Sequence, residues 1–171
     1  MTWNAPMTAV AGSVFTAAQF NTYVRDLFNE TAPAKATAAS QIFVATGVNA
    51  IAARTISQDY IATSQTTAST AYVALATAGP TVVATTGTSA LVALSAGTSN
   101  SGAGFSLQGY NVSGASTIAA SDDRAIGTGA FGGAIFLQTG LTPGSNTFTS
   151  VYRVQSGTGT FSTRHILVIP L

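Results

Sequence analysis

The sequence predicts a mainly β protein: an N-terminal arm and a single amphipathic helix, then an antiparallel β-sandwich or jelly-roll body, assembled as a trimer. Three observations lead there. From Gln65 onward, short runs of β-forming residues alternate with Gly, Pro, Asn and Ser at intervals of about 8 to 12 residues, the spacing of sandwich strands. One segment near the N-terminus carries an apolar stripe at helical spacing. Charged residues make up 6% of the 171-residue chain, against about 25% in an average soluble protein. Isolated sheets use charged side chains to block edge-to-edge pairing, so a chain this poor in charge is expected to be covered by other copies or a larger assembly. A closed ring of copies removes the exposed edges, and three is the preferred number.

Residues 1 to 14 show neither helical nor strand period, and Pro6 and Gly12 interrupt them. Trp3, the single tryptophan, reads equally as a docking anchor or as a plug onto the following helix. That helix is signalled strongly. Thr16 is placed as N-cap and Gln19 stands at the capping-box position. Phe15 and Phe20 have the spacing of a hydrophobic staple. Phe20, Tyr23, Val24, Leu27 and Phe28 then fall on one stripe. Pro33 disfavours helix beyond Asn29 to Thr31. An aromatic stripe of about four turns needs a partner, either the β body or another chain.

Residues 36–64 read as an extended connector, with Gln41 to Ala45 and Asn49 to Ala53 flanking Thr46-Gly47-Val48 as a small hairpin. The body, 65–171, holds strand candidates at 71–77, 81–85, 90–96, 104–112, 116–120, 130–138, 146–155 and 160–169. Alternation is plainest at the end. Phe148, Tyr152 and Val154 share one face, and Thr147, Thr149, Val151 and Arg153 the other. In the last strand His165, Leu167, Ile169 and Leu171 alternate with Arg164, Ile166, Val168 and Pro170. Both of its faces are apolar, as in a strand buried on two sides.

Composition excludes several classes. Six basic and five acidic residues give a net charge of +1, with no basic run to neutralise phosphates, so nucleic acid is not an expected partner. No apolar stretch reaches the roughly 18 to 20 residues of a membrane-spanning helix, and no signal-peptide pattern opens the chain. With no cysteine, disulfides, thiolate metal sites and cysteine nucleophiles are excluded.

The motifs with chemical meaning are weak. Gly127-Thr128-Gly129-Ala130-Phe131-Gly132 has the dinucleotide spacing, but a strand pattern follows where a helix is required, and no acidic residue comes after it. Asp122-Asp123 is the one carboxylate pair; neighbours on a strand face opposite ways, so a solvated turn beside Arg124 is favoured over an acid/base dyad or a cation site. His165 lacks a nucleophile and an orienting carboxylate, which favours a core or interface histidine. No catalytic residue, metal or cofactor is expected. Tyr72, Phe105, Tyr110, Phe131 and Phe136 are candidates for a sugar-stacking surface or, as strand-spaced aromatics more often are, for core.

The segments Thr2-Trp3, Gly12, Phe15-Thr16-Ala17-Ala18, Phe20-Asn21-Thr22-Tyr23-Val24-Arg25-Asp26 and Glu30-Thr31-Ala32-Pro33-Ala34-Lys35-Ala36, followed by Ala45-Thr46-Gly47-Val48-Asn49-Ala50, resemble the opening of tailed-bacteriophage virion proteins. These are minor tail, fibre and head-decoration proteins of phages infecting actinobacteria. The resemblance covers about the first third of the chain; the closing strands, from Tyr152-Arg153-Val154 to Arg164-His165-Ile166, resemble small phage surface domains less specifically. It implies that residues 1–35 anchor the chain to the virion and that the remainder faces outward, commonly as a trimer. The expected function is therefore non-enzymatic: an oligomeric capsid-decoration or head-fibre protein on the particle surface, whose partners are its own copies and the major capsid or other virion proteins. Trp3, Phe15, Phe20, Tyr23, Val24, Leu27 and Phe28 would form the anchoring or oligomer interface. The alternative is a tail-fibre or minor tail protein whose tip, through loops 97–104 and 120–129, binds a receptor or a host-surface glycan.

Overall fold

The computed structural model describes residues 7–8, 10–29, 31–127 and 129–171. The chain folds as two units, Met1–Thr55 and Ile56–Leu171.

In the first unit the helix begins at the expected cap. Thr16 Oγ1 accepts from the Gln19 N–H (3.2 Å) while the Gln19 side chain accepts from the Thr16 N–H (2.9 Å), closing the capping box. The helix runs as α1 (Ala17–Phe20), a π-helical turn (Asn21–Arg25) and α2 (Asp26–Phe28). The widened turn, marked by the Asp26 N–H bonding the Asn21 carbonyl, was not signalled by the sequence. A short α3 (Ala32–Lys35) follows. The expected hairpin is present as β1 (Gln41–Gly47) and β2 (Ala50–Thr55), paired from Gln41↔Thr55 to Ala45↔Ile51. Asn49 turns the corner with φ 54°, a left-handed conformation that Asn tolerates.

The second unit begins before residue 65. β3 (Ser57–Ile61) and β4 (Gln65–Thr67) both pair with the last strand, β11 (Gly159–Pro170), so the stretch expected as connector contributes to the sheet. The other strands are β5 (Thr81–Thr86), β6 (Ala90–Asn100), β7 (Ser106–Gly114), β8 (Ile126–Gly127), β9 (Gly129–Gln138) and β10 (Gly144–Val154). They form two antiparallel sheets. The first has the order β5-β10-β7-β8; in the second, β3-β11-β6-β9, β4 adds to β11. The expected strands at 71–77 and 116–120 reduce to single bridges, Val73↔Tyr152 and Val112↔Ile118. Residues 71–77 are mostly apolar but bury only Leu75, against Tyr152 and Phe161, while 116–120 offers a single large apolar residue, Ile118.

Both sheets bury one face in a common cluster: Val82 and Ala84 from β5, Val92 and Leu94 from β6, Tyr110 and Val112 from β7, Phe148 from β10, and Ile166 and Val168 from β11. Each Val, Leu, Ile and Phe side chain among them contributes about 1.5 to 3 kcal/mol by leaving water. β10 follows its predicted alternation, with Phe148, Tyr152 and Val154 fully buried. Along β11 a bulge between Ser162 and His165, with Thr163 at φ 45°, inserts one residue. The insertion reverses the pleat. Phe161 and Arg164 are therefore both buried, although three residues apart, and His165, Leu167 and Ile169 face outward, half-buried.

Candidate interaction surfaces

The expected stripe residues from Phe20 to Phe28 lie on the helix of 17–28, whose regular spacing the π turn at Asn21–Arg25 interrupts, and its described residues include no buried one. Phe15 and Phe20 meet edge to face with ring centroids 6.1 Å apart. Tyr23, Val24 and Leu27 are half-buried, and Phe28 is 68% exposed. An ion pair along it, Arg25 to Asp26 at 2.8 Å, joins chain neighbours. A helix that leaves a run of aromatic and aliphatic side chains exposed or half-buried offers a surface for contact. Trp3, expected to belong to it, lies outside the described residues.

The two aspartates act separately. A 3-10 turn, Asp122–Arg124, directs Asp122 to Arg153, whose Nε donates to Oδ1 at 2.9 Å and whose Nη2 bonds Oδ2. The Tyr72 hydroxyl donates to the same Oδ1 at 3.0 Å, and the Arg153 guanidinium lies 5.7 Å from the Tyr72 ring centre. Arg153 holds the Asp122 carboxyl below its ordinary value, with the Tyr72 hydrogen bond adding to the effect. Burial, reinforced by Asp122, pushes the Tyr72 phenol well up. An ionised, doubly held carboxylate beside a protonated phenol is a clamp rather than a proton-transfer pair. Asp123 turns away to Ser121 and to Arg124, at 3.9 Å. Arg124 itself is committed to the Ala119 carbonyl at 2.7 Å, to Gln138 and to the face of Tyr110. Among the described residues no group of His, Cys, Asp and Glu is arranged to hold a metal ion.

His165 stacks on Tyr60, its partner on β3, with ring centroids 4.2 Å apart and 26° between planes. No hydroxyl or carboxylate among the described residues hydrogen-bonds its ring, so no triad forms. The pair stands on the outer face of the five-stranded sheet, where the register lays out three rows. Tyr60, His165, Ser95 and Gly133 form one row; Gln58, Leu167, Ala93 and Ile135 the next; Ile169, Leu91 and Leu137 the third. Ile135 is 69% exposed and Leu137 57%. A groove of about 260 Å³ opens between His165 and Leu167 on one side and Ala93 and Ser95 on the other.

Arg164 was not singled out by its sequence, yet among the described residues it is the largest fully buried side chain. Its Nη1 reaches the carbonyls of Thr77 (3.4 Å) and Gly79 (3.5 Å), and its Nη2 the Thr63 carbonyl (3.3 Å) and Gln65 Oε1 (3.1 Å). A planar guanidinium with donors in several directions suits this role as an ammonium does not. It ties the β3–β4 loop and the chain before β5 to β11.

The five aromatics considered for sugar stacking do not form one platform. Tyr110 is fully buried, Phe136 packs on the core, and the Tyr72 ring approaches Gly109; Phe105 and Phe131 remain exposed. The glycine-rich motif leads into β9, a strand, and so lacks the helix N-terminus that a pyrophosphate needs. No described helix is long and apolar enough to cross a membrane. No protein-family model and no curated protein matches the chain.

Proposed function

We propose that the chain is a non-enzymatic structural protein of a tailed-phage particle, a trimeric capsid-decoration or head-fibre protein. In this reading the N-terminal unit attaches to the major capsid protein or another virion protein, and the β unit is displayed on the particle surface as a jelly-roll-like sandwich. The observation that carries it is the helix of 17–28: capped and stapled by local signals, folded in a unit of its own, and presenting Phe20, Tyr23, Val24, Leu27 and Phe28 with none of them buried. The resemblance of the opening segment to virion proteins names the surface such a stripe would meet. The all-antiparallel sheets with their shared core support the sandwich, and the engagement of Asp122 by Arg153 and Tyr72 supports a structural role for that carboxylate.

The test is attachment. The chain should be found by mass spectrometry and antibody labelling in purified particles of the phage that encodes it. Full-length protein carrying Phe20→Ser and Phe28→Ser should stay folded yet no longer bind particles stripped of the native chain. Absence of the chain from purified particles overturns the reading.

A further inference from the structure

We propose that the outer face of the five-stranded sheet is the surface through which the β units of neighbouring copies of this chain pack, the β9 ridge of one copy seated in the β6–β11 groove of the next. The inference rests on the reading that copies of this chain associate; it asks nothing of the phage particle.

The two outer faces of the unit are made differently. The outer side of the four-stranded sheet carries Thr147, Thr149 and Arg153, with Arg153 locked to Asp122 and Tyr72. Val83, 61% exposed beside Thr147, is an exception on this mostly polar, ion-paired face. The rows on the outer side of the five-stranded sheet contain, among the described residues, no Asp, Glu, Lys or Arg. Asp59 and Arg164 both point the other way, Asp59 to the Thr81 N–H at 2.7 Å and Arg164 into the core. What the outer side offers instead is Ile135, Leu137 and Phe131, the last 76% exposed, on the edge strand β9.

Edge strands of natural proteins are guarded by charge, Pro or bulky cover. β9 has no charge and no proline in its ten residues, Gly129–Gln138. Such an edge persists in solution when something pairs with it or packs over it.

Charge selects the occupant. An ordinary protein surface, about a quarter charged, would bury unpaired ions against this face at a high cost. The same face of a second copy brings none. Shape agrees, because the exposed side chains of β9 lie beside the groove over Ala93 and Ser95, and Gly133, paired with Ser95, keeps the strip between them low: a Cβ there would press on the Leu94 carbonyl at 3.1 Å. A groove of about 260 Å³ exceeds the roughly 150 Å³ cavity that takes up benzene, so the Phe131 ring or the Ile135 side chain fits it. Ridge and groove occupy different strips of one face, so copies turned about a common axis seat each ridge in the next groove and close a ring.

Area agrees as well. Four strands about 4.8 Å apart, along eleven residues at about 3.4 Å each, give a face of about 700 Å². In a ring each copy divides this face between two neighbours, so one contact removes about 700 Å² and three contacts about 2,100 Å² in all; closure of the ring, rather than any single contact, reaches the area of specific interfaces. The apolar rows lie toward one end and Thr160, Ser162 and Ser99 toward the other, the apolar core and polar margin such interfaces have.

The experiment uses the full chain. Ile135→Lys and Leu167→Lys should each weaken self-association, followed by sedimentation velocity, by about a hundredfold or more, with unchanged circular dichroism and melting; Thr147→Lys, on the opposite face, should leave it as in the parent. Because the chain lacks cysteine, Ile135→Cys should crosslink between copies with a short bismaleimide while Thr147→Cys does not, and this arm decides if a lysine variant fails to fold. A monomeric parent overturns both the association and this interface. An associated parent whose folded lysine variants sediment unchanged, or whose Ile135→Cys form gives no crosslink, overturns the interface alone.

Discussion

The guanidinium of Arg164 lies 5.3 Å from the ring centre of Tyr152 inside the β unit, fully buried and bonded to carbonyl oxygens rather than to a carboxylate. The Tyr152 hydroxyl donates to the Gly79 carbonyl at 2.8 Å, which Arg164 also reaches. One oxygen thus gathers a cation and a phenol, and with them the chain before β5.

Arg164→Lys is expected to destabilise the chain by about 2 to 4 kcal/mol. An ammonium brings three donors on a flexible stem and cannot serve four spread acceptors, which leaves buried carbonyls unbonded. Urea unfolding should show a lower midpoint with an unchanged slope.

Tyr152 predicts an alkaline limit. Burial pushes its phenol up to about 12, against about 10 in the unfolded chain. The folded state thus holds the proton more tightly, and its contribution is complete below pH 10 and lost as pH rises from about 10 to 12. Tyr152→Phe should unfold at lower urea at neutral pH, by about 1 kcal/mol, and lose less stability across that alkaline window than the parent.

Asp122 works at the other end of the scale. Its folded carboxyl titrates below the unfolded value, so its stabilisation is present above about pH 4 and lost as pH falls through the folded value. Asp122→Asn should lower stability at pH 7 by no more than about 1 kcal/mol, since the pair with Arg153 is solvent-exposed. It should also flatten the acid limb of the stability curve, measured by denaturant titration at successive pH values.

In the N-terminal unit, Thr16→Ala removes the side-chain half of the capping box and should cost the helix about 1 kcal/mol. Amide exchange at Gln19 and through α1 should accelerate several-fold, while β6 and β11 amides exchange as before.

What was legible in the sequence was local or periodic. The cap, the Phe15–Phe20 staple and the β1–β2 hairpin depend on neighbours a few residues apart, and the alternation of β10 and β11 on a simple period. What was not legible depends on distant partners. Ser57 to Ile61 mixes polar and apolar residues and becomes a strand because β11, about a hundred residues on, pairs with it. In β11 both faces are apolar, so the pattern does not choose which one enters the core. The bulge at Thr163 chooses, and it places an arginine inside. The groove beside His165 likewise arises from Ala93 and Ser95 on β6 meeting His165 and Leu167 on β11, an adjacency that no single segment records.

The position of β11 has a consequence for biosynthesis. It is the hub of its sheet, the strand to which β3 and β4 are joined and the one that links them to β6 and β9, yet it leaves the ribosome after all of them. Until it emerges, the nascent half-sheet exposes unpaired edges rich in Leu, Val and Ile, and the early strands wait unattached. A premature stop that removes only the final dozen codons of this stretch would therefore not trim the domain. It would leave a chain unable to close its sheet, destined for aggregation or proteolysis.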